Sequence, residues 1–416
     1  MKKICLFEDH TVKNFLPLVH FRAIDELRSG ACTLGERITN FFPNVTVEVL
    51  PRATIHNFIQ SQRKCISSTF SEVLFINARV QFTDALHKIV HKNKKQNTVF
   101  VCGENIVALY CNSKPLINVF DVLSNHQFEN KIFSEFVVVE VEAKLYSYLW
   151  DIIHKNSTLL EEDFYFLKKN KSASFTQKTK GAHFLNKKNI ILGKNITIKP
   201  GVVIDAENGP VIIGDDVTIL PNAVIIGPVF IGKYSLVKVG AKIYGGTSIG
   251  EWSKIGGEIE ASIIQSHSNK QHEGFLGHSY LGSWVNLGAD TNTSDLKNNY
   301  SNIRIQQGGE IINTKVQFLG SIIGDHSKTG INVMLDTGTS IGASSNIYGA
   351  NIPPKYIPDF SWGNTEHFEE YEIEKSIATA RIMMKRRNIE MTREYEIRMR
   401  EVFNETINDR ISAGVK

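Results

Sequence analysis

Residues 213–250 decide the fold, and they read IGDDVTILPNAVIIGPVFIGKYSLVKVGAKIYGGTSIG. An aliphatic residue recurs in this stretch at every sixth position without a slip. The series is Ile213, Ile219, Ile225, Ile231, Val237, Ile243, Ile249 and Ile255. The same spacing returns later in the chain at Ile323, Thr329, Leu335, Ile341 and Ile347. A period of six that is sustained in this way is typical of the hexapeptide repeats of a parallel β-helix.

The geometry of this repeat explains the pattern. One hexapeptide supplies a short strand and a corner, so three of them complete a triangular coil of about 18 residues. Residues one coil apart, such as Ile213, Ile231 and Ile249, should therefore stack inside the helix along one edge. Glycine and asparagine are expected where the corners need unusual backbone dihedrals. A β-sandwich, the alternative, would show alternation with period two and turns of variable length. The sequence therefore predicts a β-helix over residues 186–360.

Residues 1–185 show a different sequence pattern, in which short apolar runs alternate with mixed helical stretches. The expected strands are Lys3–Phe7, Thr46–Leu50, Val73–Ile76, Thr98–Val101 and Phe136–Val141. A helix is expected around Lys144–His154, and the lysine-rich piece Lys168–Lys180 has the composition of a linker. This alternation predicts an α/β domain.

Residues 361–416 are predicted to form an α-helical tail. Two apolar stripes at helical spacing indicate it, namely Ile373, Ile377, Ala380 and Met384, then Tyr395, Met399 and Val402. Thr392 is suited to cap the second helix. The basic run Lys385–Arg387 between them is expected to be a solvated turn, with a nucleic-acid site as the alternative. Such a tail would cover the open end of the β-helix or pack on a neighbouring subunit.

Composition excludes several classes of protein. The chain has 416 residues, of which 42% are apolar, and its formal net charge is only +4, so no field of one sign favours nucleic acid. No apolar run is long enough for a secretory signal or a membrane helix, so we expect a cytoplasmic protein without a membrane partner. The five cysteines are odd in number and lack a Cys-x-x-Cys pair. We expect reduced thiols, with a disulfide or zinc framework as the alternative.

The six-residue register is interrupted at two places, roughly residues 257–275 and 293–302. Interruptions of a regular scaffold are where function concentrates. The first contains Ser-Asn-Lys-Gln-His-Glu-Gly-Phe-Leu-Gly at residues 268–277, and the regular stretch between the two reads Leu-Gly-Ser-Trp-Val-Asn-Leu-Gly-Ala-Asp-Thr at residues 281–291. Both breaks are therefore candidate positions for a functional site.

These two stretches resemble the acetyltransferase half of the bifunctional N-acetylglucosamine-1-phosphate uridyltransferase/glucosamine-1-phosphate acetyltransferase (GlmU) family. The resemblance covers about residues 190–350. It implies a left-handed β-helix, a homotrimer and acetyl-CoA or another acyl-CoA as co-substrate. It places the catalytic histidine of the family at His272. It places sugar-substrate contacts at Lys270, Phe275 and Asn286, and cofactor contacts at Gly288, Ala289 and Gly342.

The sequence also departs from that family. The substrate-contacting tyrosine is replaced by Phe275, which cannot donate a hydrogen bond, and a phosphate-binding lysine is replaced by Glu260. A carboxylate repels a sugar phosphate. Asp290 and Asp295 stand where the family has glycine and asparagine. Acyl transfer is compatible with these changes, but glucosamine 1-phosphate as the acceptor does not follow.

The chemistry of His272 agrees with the position that the resemblance gives it. An amine or hydroxyl that attacks a thioester must lose a proton, and an imidazole is suited to accept it near neutral pH. Backbone N–H groups at Gly288 and Ala289 are candidates to hold the developing oxyanion. The alternatives are that His272 is an ordinary surface histidine, or that it binds a metal together with His267 and His278.

The N-terminal run from Phe15 to Arg37 and the Trp150-Asp-Ile-Ile-His segment resemble sugar nucleotidyltransferases that are fused to hexapeptide domains in Bacteroidota. This second resemblance extends over the whole chain. It implies transfer of a nucleotide from a nucleoside triphosphate to a sugar 1-phosphate, with Mg²⁺. Arg22 and Arg28 are the phosphate-binding candidates, with a salt bridge to Asp25 or Glu26 as their alternative. Asn77 is a weak candidate ligand for Mg²⁺, and Arg79 cannot be one.

Three hypotheses follow. In the first, an enzyme of sugar-nucleotide biosynthesis uses both halves and acts on a small sugar phosphate and a nucleotide. In the second, only the nucleotidyltransferase is active and the β-helix is a trimer scaffold. In the third, both sites are degenerate and the protein is a non-catalytic nucleotide-sugar-binding or assembly protein.

Overall fold

The computed structural model describes residues 3–67, 70, 72–94, 96–112, 117–125, 127–170, 180–307, 309–349 and 351–416. Most of the linker expected at Lys168–Lys180 lies outside the described residues. Contacts divide the chain into two compact units. The first holds residues 1–15, 21–27 and 33–148, and the second holds residues 16–20, 28–32 and 149–416. The domain boundaries predicted at 185/186 and 360/361 stay a prediction, whereas the contact boundary falls after Tyr148.

The first unit is built on a six-stranded mixed sheet. Its strands, in spatial order, are Thr46–Leu50, Lys3–Phe7, Val73–Asn77, Asn105–Cys111, Thr98–Cys102 and Val137–Glu140. Its short α-helices are Leu34–Thr39, His56–Gln60, Asp84–Lys92 and Val119–Asn125. The five predicted strands are confirmed. Asn105–Cys111 was not predicted; it pairs antiparallel with both of its neighbours and makes the sheet mixed.

The second unit is a left-handed parallel β-helix of about ten turns, as the sequence predicts. Its first face consists of Ile190–Leu192, Val211–Ile213, Val229–Ile231, Thr247–Ile249, Ile263–Ile264, Tyr280–Leu281, Ser321–Ile323, Thr339–Ile341 and Tyr356–Ile357. Its second face consists of Thr197–Ile198, Thr218–Ile219, Leu236–Val237, Lys254–Ile255, Asn269–Lys270, Lys328–Thr329, Asn346–Ile347, Ser361–Gly363 and Phe368–Glu370. Its third face consists of His183–Leu185, Val203–Asp205, Val224–Ile226, Lys242–Ile243, Glu258–Glu260, Phe275–Gly277, Asn292–Thr293 and Met334–Leu335.

The inward stacking expected from the repeat is confirmed. Ile213 pairs with Ile231, and Ile231 pairs with Ile249, in successive parallel strands. All three are buried in one continuous aliphatic core that extends through the β-helix to Ile357. Each coil thus covers the apolar row of the preceding coil, which is the main source of stability in a solenoid.

The first predicted break is not a break in the coil. Strands continue through residues 257–275, and Ile249 pairs with Ile264 only fifteen positions later. The coil is shorter here than eighteen residues, so the six-residue spacing is lost from the sequence although the backbone still completes a turn of the β-helix. The second break is a true insertion. Leu281 pairs with Ile323, and the intervening chain carries an antiparallel hairpin of Arg304–Gln307 and Glu310–Asn313.

The expectation that glycine and asparagine adopt unusual corner dihedrals is confirmed at Gly240 and Asn222, with φ of 68° and 61°, but Gly232 and Gly250 serve close packing instead. Gly232 and Gly250 do not have positive φ, but a Cβ on either would lie 2.7 Å from a backbone nitrogen of the next coil. The left-handed corner residues stand two places further on, at Tyr234 and Trp252, with φ of 62° and 60°. The expectation about corner glycine was therefore wrong for these positions.

The helices of the second unit are Leu149–Asn170 before the β-helix and Ile373–Lys385, Arg393–Glu405 and Ile407–Ser412 after it. The predicted stripe is confirmed at Ile377, Ala380 and Met384, which are buried, and Thr392 caps the next helix by accepting from the N–H of Tyr395. The tail packs on the last coil of its own chain, where Phe403 contacts Phe360 edge to face.

Two further findings concern the cysteines and the helices. None of the five cysteines Cys5, Cys32, Cys65, Cys102 and Cys111 is part of a disulfide bond in the described structure. Within the described ranges, no helix has the length and apolar character needed to cross a membrane.

Candidate functional site

A cavity of about 340 Å³ lies on the second face of the β-helix. We call it the second-face cavity. Its β-helix wall includes Lys254, Asn269, Asn286 and Lys328 from the face and His267 and Trp284 from the adjoining corner. Its opposite wall is the end of helix 373–385, with Met383, Arg386 and Arg387. The run Lys385–Arg387, expected to be a solvated turn, therefore contributes two of its members to a cavity.

Four cations line this cavity, and its lining contains no carboxylate among the described residues. Burial lowers the pKa of Lys328 to about 8, and the ammonium donates to the carbonyl of His326 at 2.7 Å. Burial also lowers the pKa of Lys254, and the charges of Arg387 and Arg386 add to this effect. Lys254 is thus close enough to the two arginines for their charges to repel.

An aromatic column runs along the corner next to the cavity. It consists of Tyr234, Trp252, His267, Trp284 and His326, one ring from each successive coil, all with left-handed backbone. The rings stack, and the centroids of His267 and Trp284 are 4.4 Å apart. Burial, assisted by Arg387, lowers the pKa of His267 to about 4, so its imidazole is neutral at pH 7.

Asn286 lies in the second-face cavity, which is compatible with its predicted substrate contact. Its side-chain oxygen accepts from Asn269 at 3.3 Å, and Asn269 in turn accepts from the guanidinium of Arg387 at 2.9 Å. His272 is exposed on the corner that follows, directly after Gln271, which lines the cavity. The two residues that carry the family resemblance are therefore at the cavity and one residue from its wall.

Lys270 does not face the site. It occupies an inward position of the second face, paired with Ile255, and is 1% exposed. Its ammonium donates to the carbonyls of His272 and Glu273 at 2.6 and 3.2 Å. The structure gives Lys270 the role of holding the backbone of the His272 corner instead of the predicted contact with substrate.

We expect Lys270→Met to remove a pH-dependent part of the stability. Burial lowers the pKa of Lys270 to about 8, from a usual value near 10.5. Between these values the unfolded chain keeps a proton that the folded chain releases, so stability rises with pH across this window, by up to about 3 kcal/mol. Urea unfolding at pH 8, 9 and 10 should therefore show a smaller rise in the variant than in the wild type.

The exposed Lys233→Met is the matched control for this measurement, and it should leave the rise unchanged. Lys328 titrates in the same window, so part of the rise persists in the Lys270 variant. Stability curves of the Lys270 variant and the wild type that run parallel from pH 8 to 10 would contradict the buried-ammonium assignment.

Gly288 and Gly342 are explained by packing. A Cβ on Gly288 would lie 2.2 Å from the carbonyl of Gly330, and one on Gly342 would lie 2.2 Å from the nitrogen of Asp359. The N–H of Gly288 donates to Thr329, so it is not available to hold an oxyanion, as had been expected. Ala289 is half-buried at the following position.

Phe275 is half-buried on the third face, and its strand pairs with the one that carries Glu260. The carboxylate of Glu260 is exposed there. Phe275 and Glu260, two of the departures from the family motif, therefore lie on neighbouring strands of a face other than that of the cavity.

Arg28 is not in the first unit and is not available for phosphate. Its guanidinium binds both carboxylate oxygens of Glu251 in the β-helix, at 2.8 and 3.0 Å, and is almost fully buried. Arg28 therefore forms a salt bridge, as the alternative predicted, but its partner is Glu251 and not Asp25 or Glu26. Asp25 and Glu26 bind Arg63 instead. Arg22 is buried and acts electrostatically on Glu26.

The residues around Asn77 do not fit a magnesium site. The Asn77 amide donates to Asp9 at 2.8 Å, and Arg79 binds the same carboxylate at 2.7 Å. Burial would raise the pKa of Asp9, but Arg79, Thr11 and Asn77 hold it below its usual value. A guanidinium therefore stands where a divalent cation would be needed. Among the described residues no cluster of three acidic, histidine or cysteine side chains could hold a metal, and the expected roles of Asn77 and Mg²⁺ find no support.

Comparison with known proteins shows which families and proteins this chain is similar to. Residues 4–172 match the model of a family described as sugar nucleotidyl transferase. The chain is 30% identical to the bifunctional protein GlmU of Synechococcus elongatus over 173 residues. This alignment covers 41% of this chain and 33% of that protein. The chain is 31% identical to the uncharacterized acetyltransferase YaiX of Escherichia coli over 167 residues. This alignment covers 40% of this chain and 73% of that protein. The chain belongs to the same family as this acetyltransferase.

The match to full-length GlmU-like proteins is partial. The chain spans about a third of the GlmU protein of Synechococcus elongatus. It is 35% identical over 104 residues to the bifunctional sugar-1-phosphate nucleotidylyltransferase/acetyltransferase of Sulfurisphaera tokodaii, which is 26% of that protein and 24% of this chain. These matches confirm a transferase, the enzyme class that the sequence predicts.

A second cluster with histidine side chains lies around His278, and the GlmU-like motif gave no indication of it. His278 has left-handed backbone, and its Nδ1 is 2.8 Å from a carboxylate oxygen of Asp295. The ring of His154 lies 5.8 Å away, and burial lowers its pKa. Asp295 stands in the insertion, so only the return of the chain to the β-helix brings the pair together. The spacing of His278 and Asp295 in the sequence carried no signal for it.

Proposed function

We propose that this chain is a transferase of sugar-nucleotide biosynthesis whose β-helix moves an acyl group from acyl-CoA to an amino or hydroxyl group of a sugar phosphate. One observation carries the proposal. Of the two residues that match the family motif, Asn286 lines a cavity that is rich in cations and suited to a phosphorylated ligand, and His272 directly follows Gln271, another lining residue. The similarity to the YaiX acetyltransferase and to part of GlmU supports the reaction class.

In the proposed step, His272 accepts the proton of the attacking amine or hydroxyl. The nitrogen or oxygen forms a bond to the thioester carbon, and the carbon–sulfur bond breaks. The leaving thiolate of coenzyme A takes up a proton, so the products are the acylated sugar phosphate and free CoA. An exposed imidazole is accessible for this transfer, and Lys270 fixes its backbone carbonyl.

The first unit favours binding over turnover. Arg79 pairs with Asp9 and Arg52 pairs with Glu8, so both of these acidic groups already have a cationic partner, whereas nucleotidyl transfer depends on a divalent cation to offset moving charge. We therefore propose that this unit binds a nucleotide sugar without making it. We also propose that the β-helix forms a homotrimer, which light scattering of the purified chain can test.

Two assays on the purified chain test this function. In the first, acetyl-CoA is offered with a panel of amino-sugar phosphates, and release of CoA and the acylated product are followed by mass spectrometry. In the second, nucleoside triphosphates and sugar 1-phosphates are offered with Mg²⁺, and pyrophosphate is measured. We expect acyl transfer in the first and no pyrophosphate in the second. Pyrophosphate release without acyl transfer would instead favour an active nucleotidyltransferase on a β-helix scaffold.

A further inference from the structure

The second-face cavity has a charge pattern that its own residues do not balance. Lys254 and Lys328 approach from the β-helix, and Arg386 and Arg387 approach from the end of helix 373–385. No carboxylate lines the cavity within the described parts of the chain. Glu251 acts on His267 nearby, but Arg28 already binds both of its oxygens. Lys254, Arg386 and Arg387 repel one another, and an anion would relieve that repulsion.

The donors are arranged to surround such an anion. Arg387 is held by Asn269 at 2.9 Å, which fixes the direction of its guanidinium fork. Lys328 uses one of its three ammonium protons on the His326 carbonyl. The amides of Asn286 and Gln271 add neutral donors to the same wall. Planar guanidinium groups and ammonium groups that converge from two walls suit phosphate oxygens.

The size of the cavity indicates more than one phosphate. A volume of about 340 Å³ lies at the lower end of small-ligand pockets and exceeds what a single phosphate needs. The aromatic column closes one side, where Trp284 and the neutral His267 give an apolar wall. Charges beside such a wall are less screened than in open solvent, so each contact to an anion gains strength.

We propose that the second-face cavity binds the diphosphate group of a ligand, held between the β-helix and the end of the first tail helix. Two molecules supply this group, namely coenzyme A and a nucleoside diphosphate sugar. The assignment of the cavity stands on its own donors, and only the choice between these two sources rests on the proposed function.

Calorimetry with inorganic pyrophosphate on the full chain tests the proposal. We expect saturable binding that weakens at least tenfold in Arg386→Gln/Arg387→Gln and also in Lys254→Met on the opposite wall. Lys385→Gln is the matched control, because it removes the same charge from the same helix end but is exposed and outside the cavity lining. Unchanged circular dichroism and thermal midpoints keep a folding defect separate from a binding defect.

Competition identifies the source. Coenzyme A that displaces pyrophosphate, with UDP-N-acetylglucosamine inactive, supports the cavity as an acyl-donor site. The reverse result supports it as a nucleotide-sugar site. Absence of pyrophosphate binding, or equal binding by the wild type and the cavity variants, would overturn the proposal. Acyl transfer would be measured independently, so the proposed function would then still be judged by its own assay.

Discussion

Replacement of His272 by alanine is expected to lower acyl transfer at least about a hundredfold. General-base catalysis contributes roughly 10²- to 10⁴-fold, and no water molecule in its place would have a comparable basicity. His272 is exposed, so its loss opens no cavity in the core and the fold should persist. Rates of CoA release at saturating acetyl-CoA, with circular dichroism of the variant, measure this effect.

His278→Ala is the matched control, because it removes another imidazole of the same β-helix. His278 is held by Asp295 at another corner, so acyl transfer should fall by less than about threefold. If instead the His278 variant loses activity and the His272 variant keeps it, the general base is the Asp295-paired histidine and the motif match has misplaced it.

The second large effect concerns Gly250. An alanine there would place its Cβ 2.7 Å from the nitrogen of Ser266 and 2.8 Å from the carbonyl carbon of Gln265. The coils cannot separate to admit it without weakening the 2.8 Å bond from the N–H of Gly250 to Ile264. We expect Gly250→Ala to lower the free energy of unfolding by about 3 kcal/mol, at the upper end of overpacking effects.

Gly330→Ala is the comparison for this change. It follows a strand of the second face, and the nearest atoms to its Cβ would be the Cβ of Tyr348 at 3.2 Å and the backbone of Tyr348 at 3.5 Å, a much milder approach than at Gly250. Urea unfolding followed by circular dichroism should show a loss of less than about 1 kcal/mol for Gly330→Ala. Equal losses in the two variants would show that strand spacing is not what selects glycine at Gly250.

The β-helix could be predicted from the sequence because its signal is local and repeated. Each coil buries an aliphatic residue at the same point, so the period alone specifies the architecture. The same logic misread residues 257–275, because a coil can shorten from eighteen residues to fifteen and still stack. Where the six-residue spacing is present, it reliably indicates strands of the β-helix. Where the spacing is absent, its absence is weaker evidence for a loop.

The candidate site could be predicted only in part, because its residues come from distant segments. His272 and Asn286 lie within one motif and were identified. Arg387 reaches Asn269 across 118 positions, and no local pattern indicated that contact. Lys270 was misassigned because a lysine inside a solenoid is rare, and the two carbonyls that stabilise it come from the following corner.

The aromatic column also gives this protein an internal optical reporter. The chain has four tryptophans, and two of them, Trp252 and Trp284, belong to the column. Trp284 lines the second-face cavity, and the neutral ring of His267 is stacked directly against it. An anion that enters beside this indole changes the electric field across it, so intrinsic fluorescence can follow occupancy of the cavity without a label.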